Sequence, residues 1–299
     1  MGTSFPENVR VNHSDDSRIK AMIVYFDTNV IRDLAEKRVL NAEEKAEALK
    51  NSITARKVII APSFEVLYEL LSAPSIDNTI RIKNAQFYIN VVDWAYALKP
   101  SDQMMRDDIN NLARVGGPST PYYPVDKDLN NCIQSVKKGE NMFPPAHWRG
   151  IVNRSRQQNE MFVKLIFTKF VEKLPSDGKT KLKNSPKKTW DNWWFRGGLA
   201  DLVADSLVEA VVGRQISDSA LTLPTVRAAV GYILHTWYQQ IITNTKVKPT
   251  DHYDFRNAVL AGGVEGIVTE DRKLKNAIKH IPECNIKACV LEEFIKAIP

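Results

Sequence analysis

Short apolar runs alternate with helix-like segments at both ends of the chain, and this alternation limits the possible folds more than any other feature. Residues 22–26 (MIVYF) and 57–61 (KVIIA) form two such runs, and residues 266–269 (GIVT) and 285–290 (NIKACV) form two more. Residues 22–26 are an unbroken apolar run, which is typical of a strand covered on both faces. Helical patterns follow at residues 28–38, 41–54, 63–72, 254–262, 271–279 and 291–298. The alternation predicts a parallel sheet with crossover helices.

The middle of the chain has a different pattern, with few strand-like runs and several long helical ones. We therefore predict a parallel-sheet, three-layer α/β/α domain whose halves are residues 20–72 and 249–299, with a mainly α-helical insertion at residues 73–248. Pro224 is suited to the first turn of a helix, and Gly213 is suited to end one. Residues 116–124 and 175–189 are rich in Pro, Gly, Ser or Lys and are predicted to be loops.

The balance of charge is basic, with 41 Lys and Arg residues against 35 Asp and Glu residues and a net charge of +6. This excess favours an acidic partner such as nucleic acid about as much as it favours simple solubility. If the partner is nucleic acid, the candidate binding residues are Lys179, Lys181, Lys183, Lys187, Lys188, Arg196, Arg227 and Arg272.

The cysteine and hydropathy patterns argue against a zinc protein, a disulfide-rich protein and a membrane protein. Cys132, Cys284 and Cys289 lack the spacing of a zinc site and do not suggest a disulfide framework. No apolar run reaches the roughly 18 residues of a membrane-spanning helix. We therefore expect a cytoplasmic protein without a membrane partner.

Tryptophans cluster in the insertion next to Arg196, one of the candidate nucleic-acid-binding residues. Trp190, Trp193 and Trp194 precede Phe195 and Arg196. Such a cluster can stack nucleic-acid bases, but large aromatic residues more often lie in a core or between packed elements. The sequence leaves both alternatives open.

Two aspartates are placed at the ends of predicted strands. Asp27 comes directly after the first strand, and Asp271 follows the strand that ends at Thr269. The carboxyl ends of parallel strands meet at one edge of a sheet, where ligands bind in such folds. The alternative is helix capping, because Asp and Thr are favoured at helix N-termini.

Four further acidic residues lie on predicted helices. Glu65 and Glu69 are four residues apart and so share one helix face. Asp251 and Asp254 open the helix that precedes the third strand, a spacing that also fits a reciprocal N-terminal cap. Isolated glutamates on helices are usually solvated.

If these acids converge at one edge of the sheet, their carboxylates repel one another. Two carboxylates about 4 Å apart repel by roughly 4 kcal/mol at an effective dielectric constant near 20, so several together need a divalent cation. Oxygen ligands suit Mg²⁺ or Mn²⁺ better than zinc. The expected chemistry is attack of a metal-activated water on a phosphodiester.

Four segments, taken in order, resemble the acidic motifs of PIN-domain nucleases. They are MIVYFDTNVI (22–31), PSFEVLYELL (62–71), DHYDFRNAVLA (251–261) and GIVTED (266–271). The resemblance implies a metal-dependent endoribonuclease in which carboxylates hold Mg²⁺ or Mn²⁺ and cleave RNA. The metal ligands it implies are Asp27, Glu69, Asp254 and Asp271, the catalytic set adds Asp251, and the supporting polar residues are Asn29 and Thr269.

The resemblance covers about residues 20–72 and 250–298, and small toxin members of that family lack a comparable helical insertion. RNA is the expected substrate. Whether an inhibitor or antitoxin-like protein binds the chain, and whether it forms a homodimer, is left open by the sequence.

Two other functions compete with this prediction. A haloacid-dehalogenase-type phosphatase also has a strand that ends in Asp, but it needs a second Asp two residues later, where this chain has Asn29. A non-catalytic nucleic-acid-binding or scaffold protein could keep the PIN-like fold and the basic surface. The acidic set favours the enzyme.

Overall fold

A computed structural model of the protein describes residues 21–72, 76–140, 146–171, 190–196, 198–216, 219–243, 251–282 and 284–298. In chain order the described elements are β1 (Met22–Phe26), α1 (Thr28–Ala35), α2 (Ala42–Thr54), β2 (Val58–Ile60), α3 (Phe64–Ser72), α4 (Asn78–Val91), β3 (Tyr96–Leu98), α5 (Ser101–Val115), β4 (Tyr122–Pro124), α6 (Lys127–Lys137), α7 (Ala146–Val171), α8 (Leu199–Val212), α9 (Pro224–Thr243), α10 (Asp251–Gly262), β5 (Gly266–Val268), α11 (Arg272–Lys279), β6 (Lys287–Cys289) and α12 (Leu291–Ala297). A π-helical turn spans Asn192–Arg196, and a 3-10 turn spans Ala220–Thr222.

The sheet joins the two ends of the chain. Its strand order is β2-β1-β5-β6, and every pairing is parallel. Val24 pairs with Ile60 on one side and with Gly266 on the other, so β1 is a central strand. Tyr25 and Phe26 are buried, as expected for a strand covered on both faces. The predicted α/β class with a parallel sheet is confirmed.

The helices are arranged on both faces of this sheet. The connection from β1 to β2 and the connection from β5 to β6 run in opposite directions across the sheet. Because such crossovers are almost always right-handed, α1 and α2 lie on one face and α11 on the other. The contacts between helices agree with this placement, since α12 packs on α2 whereas α11 packs on α9 and α10. This arrangement fits the predicted three-layer α/β/α organisation.

Helices α4 to α9 and a short antiparallel ribbon, β3 with β4, connect the two halves of the sheet. Strand β4 lies within residues 116–124, so the predicted loop is wrong in its last three residues. Tyr122–Pro124 pairs with Tyr96–Leu98, and this partner from a distant part of the chain stabilises a strand that the local proline-rich sequence does not predict. Residues 175–189 lie outside the described part of the chain.

Two predicted helix ends are confirmed in the insertion. Gly213 follows α8 with a φ of 72°, the left-handed conformation that glycine adopts without steric cost. Pro224 begins α9, whose Val230, Ile233 and Leu234 are buried in the core. Among the helices that the structure describes, none is long and apolar enough to cross a bilayer.

Helices α9 and α10 approach each other closely at Gly262, the last residue of α10. A β-carbon on Gly262 would lie 2.6 Å from Thr225 Cα and 2.8 Å from the Pro224 carbonyl oxygen. We expect Gly262→Ala to lower the free energy of unfolding by about 2 kcal/mol, because backbone atoms must shift to admit the methyl group. Urea unfolding measures the change. Gly117→Ala is the control, since nothing lies within 4 Å of its added β-carbon; equal losses in both variants would contradict the close approach.

The tryptophan cluster lies against two stacked histidines. Trp193 and Trp194 are buried, and the Trp190 indole N–H donates to the carbonyl oxygen of His280. The His235 and His280 rings stack with centroids 5.7 Å apart. The cluster therefore packs between elements of the insertion and the sheet domain, which favours the core alternative over base stacking.

His235 makes stability depend on pH. Burial, with the positive charges of His280 and Lys273, lowers its pKa from 6.5 to about 4. Because the folded pKa is depressed, the unfolded chain takes up a proton first as the pH falls below 6.5. This difference removes about 2 kcal/mol between about pH 7.5 and pH 5. Phenylalanine cannot titrate, so we expect urea unfolding of His235→Phe to lack this loss of stability at low pH. A pH dependence equal to that of the wild type would contradict the role of His235.

Candidate functional site at the carboxyl edge of the sheet

The direction of the strand order reverses between β1 and β5, and this is where parallel α/β sheets open a ligand crevice. Asp27 follows β1 and Thr269 follows β5, so they are neighbours at this edge. The Thr269 hydroxyl donates to Asp27 Oδ2 at 2.9 Å, and the Asn257 amide donates to Asp27 Oδ1 at 3.4 Å. Two strands and helix α10 therefore position the Asp27 carboxyl group.

Asp27 does not serve as a helix cap. It occupies the N-cap position of α1, but its side chain makes no capping hydrogen bond. Only 5% of the residue is exposed, and burial raises the pKa of its carboxyl group while the Thr269 hydrogen bond opposes that shift. A buried carboxyl group with a raised pKa at this edge of the sheet is more typical of a functional site than of a helix end.

Asp271 has both a capping role and a place at the same edge. Its Oδ1 accepts from the backbone N–H groups of Lys273 at 2.7 Å and Leu274 at 2.9 Å, so it caps α11. Its own backbone N–H donates to the Thr269 hydroxyl at 3.1 Å. The capping alternative raised by the sequence is therefore correct for one oxygen of Asp271, while Thr269 joins Asp271 to Asp27.

Glu69 is held by two elements besides its own helix. Arg256 on α10 donates to Glu69 Oε1 at 2.6 Å, and the Thr28 hydroxyl donates to Oε2 at 2.5 Å. Burial favours the neutral acid, but the charge of Arg256 and these hydrogen bonds outweigh it, so the pKa of Glu69 is lowered. Glu69 is therefore an ionised carboxylate paired with a buried cation.

Glu65 is the more deeply buried of the two glutamates, with 2% of the residue exposed. The Ser155 hydroxyl donates to its Oε1 at 3.2 Å, and Arg256 Nε lies 3.9 Å from its Oε2. Burial raises its pKa to about 7, although Arg256 opposes the shift. The alternative that these glutamates are ordinary solvated residues does not hold for Glu65.

Arg256 and Asn257 connect the two groups of acids. Asn257 Oδ1 accepts from the Tyr25 hydroxyl at 3.0 Å and from Arg256 at 3.2 Å. A continuous path of hydrogen bonds thus runs from Glu69 through Arg256, Asn257, Asp27 and Thr269 to Asp271. The sequence analysis did not identify Arg256 and Asn257, although both lie between the apolar Phe255 and Ala258 on the helix predicted for residues 254–262.

Asp254 lies on the α9 side of this path. The Tyr232 hydroxyl donates to Asp254 Oδ2 at 3.4 Å, and Lys273 Nζ donates to the same hydroxyl at 3.3 Å. Asp254 is therefore connected through Tyr232 to the Lys273 side chain of α11. The side chain of Asp251 lies outside the described part of the structure. Asn29 is exposed in the first turn of α1, and the amide that reaches Asp27 belongs to Asn257.

The donor atoms suit a hard divalent cation, since they are carboxylate, hydroxyl and amide oxygens. Their positions fit less well: over the described residues, no three Asp, Glu, His or Cys side chains form a group that could hold a metal ion. Arg256 supplies the positive charge beside Glu65 and Glu69. The described geometry therefore joins Asp27, Glu69 and Asp271 by hydrogen bonds without arranging the acids as a complete ligand set.

The predicted nucleic-acid-binding residues are distributed differently. Arg227 donates to the carbonyl oxygens of Leu221 at 2.7 Å and Pro282 at 3.3 Å, which is a structural role. Arg272 is exposed at the start of α11, next to Asp271. Arg196 lies in the π-helical turn with its side chain not described. The predicted lysines all lie outside the described residues: Lys179, Lys181, Lys183, Lys187 and Lys188.

Comparison of the chain with protein-family models, with curated proteins and with solved structures found no match. The resemblance to PIN-domain nucleases therefore depends on the four sequence motifs.

Proposed function

We propose that the protein is a PIN-like, metal-dependent ribonuclease whose active site is the carboxyl edge between β1 and β5. The observation that supports this most is the hydrogen-bond path from Glu69 to Asp271, which joins acids more than 200 residues apart in sequence. Helix caps and surface carboxylates do not require such a path. Its position where the strand direction reverses is where parallel sheets bind ligands.

Mg²⁺ or Mn²⁺ is the cofactor that the donor atoms suit best. Asp27, Asp254 and Asp271 would hold it. Glu69 would also hold it if its ion pair with Arg256 were broken. A bound cation would activate a water molecule and stabilise the negative charge that develops on the phosphate. Thr269 and Asn257 fix the orientation of Asp27, and Thr28 fixes the orientation of Glu69.

A second candidate is a PIN-like protein that binds nucleic acid without cleaving it. It is favoured by Arg256, which already balances Glu65 and Glu69, so that part of the acidic set is neutralised without a metal. The phosphatase alternative has less support, because Asn29 stands at the position of the required second Asp and is exposed.

Incubation of labelled single-stranded RNA with the full chain in Mn²⁺, in Mg²⁺ or in EDTA tests the proposal. We expect cleavage products with either metal ion and none with EDTA, because the carboxylates need a cation for this chemistry. Binding of RNA without any products in Mn²⁺ would contradict the nuclease and would favour the second candidate.

A further inference from the structure

A cleft opens beside Glu69 between helices α3, α7 and α10. The space within it that water-sized molecules can occupy is about 60 Å³, and the cleft is open to solvent at its mouth. The residues that matter for its chemistry are Tyr68 and Glu69 on α3, Asn153 and Arg156 on α7, and Tyr253 and Arg256 on α10. Glu69 and Arg256 also belong to the hydrogen-bond path described above, so the cleft adjoins the candidate active site.

Two arginines lie over one tyrosine ring in this cleft. The guanidinium carbon of Arg156 is 5.0 Å from the centroid of the Tyr253 ring, and that of Arg256 is 5.4 Å from it. Arg256 is buried and paired with Glu69, whereas Arg156 is exposed. In the part of the chain that the structure describes, no carboxylate pairs with Arg156. The forked N–H donors of an arginine match the geometry of a phosphate or carboxylate group.

The two glutamates of the cleft and the guanidinium group at its mouth are held apart by Arg256. Arg256 pairs with Glu65 and Glu69, whereas Arg156 is exposed at the mouth of the cleft. An anion would therefore meet the Arg156 guanidinium group first. The Tyr68 ring provides a flat surface on which a base can stack, whereas the Tyr253 ring already has Arg156, Arg256 and His252 against it.

The inner wall of the cleft also has unsatisfied polar atoms. Glu65 Oε2 and Arg256 Nε are buried, lie 3.9 Å apart and have no hydrogen-bond partner among the described residues. The side chains of Glu65 and Arg256 are 3% and 7% exposed. Buried donors and acceptors usually have partners, so this pair indicates a position for a polar ligand or a water molecule.

We propose that the mouth of this cleft holds one nucleotide of a single-stranded RNA, with a phosphate on Arg156 and the base against the Tyr68 side chain. This inference rests on the proposed function and deepens it, because it names the position of a substrate nucleotide beside Glu69. Arg156 belongs to α7, so the helical insertion supplies substrate recognition. A nucleic acid fits better than an acidic protein segment because an aromatic face accompanies the cation.

Binding is measured in the Asp27→Asn background, which removes cleavage, by fluorescence anisotropy with an unstructured RNA of about 12 nucleotides. We expect Arg156→Gln to weaken binding about tenfold and to reduce the slope of log affinity against log salt by about one. The matched control is Arg154→Gln, which removes the same charge from an exposed position on α7; we expect less than about a threefold effect. Tyr68→Ala should weaken binding at least about fivefold, whereas Tyr68→Phe should retain it.

Each result has a separate meaning. Equal losses in Arg156→Gln and Arg154→Gln, or no loss in either, would overturn the cleft and leave the nuclease proposal standing. An Arg156-specific loss together with no cleavage by the wild-type chain would support the cleft and contradict the nuclease. No binding of RNA by the Asp27→Asn chain, with binding of a polyglutamate peptide that Arg156→Gln abolishes, would assign the cleft to an acidic protein segment instead.

Discussion

Asp27→Asn is expected to lower metal-dependent RNA cleavage by about two to four orders of magnitude, because it removes a carboxylate that would hold the cation. The fold should be retained or slightly stabilised, since burial already penalises the charge of Asp27 and an asparagine can keep hydrogen bonds to Thr269 and Asn257. Product formation from labelled RNA measures the first effect, and thermal unfolding in EDTA measures the second.

The matched control for this prediction is Asp201→Asn, which removes the same charge from an exposed position on α8. We expect its cleavage rate to equal that of the wild type. If Asp27→Asn and the wild type form equal amounts of product, the proposed active site is wrong. If Asp27→Asn instead unfolds readily while cleavage by the folded fraction persists, the carboxylate has a structural role only.

Replacement of Arg256 by Met is expected to cause the largest loss of stability, about 3–5 kcal/mol in EDTA. Arg256 is the buried cation between Glu65 and Glu69, and PIN-like chemistry would place a metal ion in the same region. Without it, these carboxylates and Asp27 would face one another uncompensated. We expect Mn²⁺ to restore part of the stability, because a divalent cation can replace the lost charge. Urea unfolding in EDTA and in Mn²⁺ measures both effects.

Two comparisons make this second prediction specific. Adding Glu69→Gln to Arg256→Met should recover part of the loss, since one uncompensated charge is removed. The loss should also be smaller at low pH, because the pKa values of Glu65 and Asp27 are raised by burial and both groups become protonated there. Stability of Arg256→Met equal to that of the wild type in EDTA would show that Arg256 does not balance the acids. Restoration by Mn²⁺ favours the nuclease, and its absence favours the non-catalytic candidate.

The sheet was predictable because its signals are local. An apolar run such as residues 22–26 favours a strand in isolation, and a helical pattern after it favours a parallel crossover. The edge to which Asp27 and Asp271 belong follows from that topology, since parallel strands end on the same side. The short strand β4 was not predictable in this way, because Tyr122–Pro124 forms a strand only through its pairing with β3.

The residues of the candidate site also fall into two groups, those that local sequence predicts and those that it does not. The acids and Thr269 were identified from their positions after strands or on helices. The structure joins Asp27, Glu69, Thr269 and Asp271 by hydrogen bonds, and it places Asp254 beside Tyr232. The roles of Arg256 and Asn257 were not predictable, because each depends on which side chains other elements bring to it. Asn29 was predicted to support the site because it is close to Asp27 in sequence. Residues that are close in sequence at the start of a helix point in different directions, and Asn29 is exposed.

By itself, the sequence determined the alternation of strands and helices at both ends and the acidic residues that follow them, because backbone propensity and the period of apolar residues act over a few positions. Only the tertiary structure decided that Arg256 pairs with Glu69, 187 residues away, and that α7 brings Arg156 to the same cleft. The physical reason is that charge balance in a buried site depends on which side chains packing brings within a few ångströms, and no local pattern carries that information.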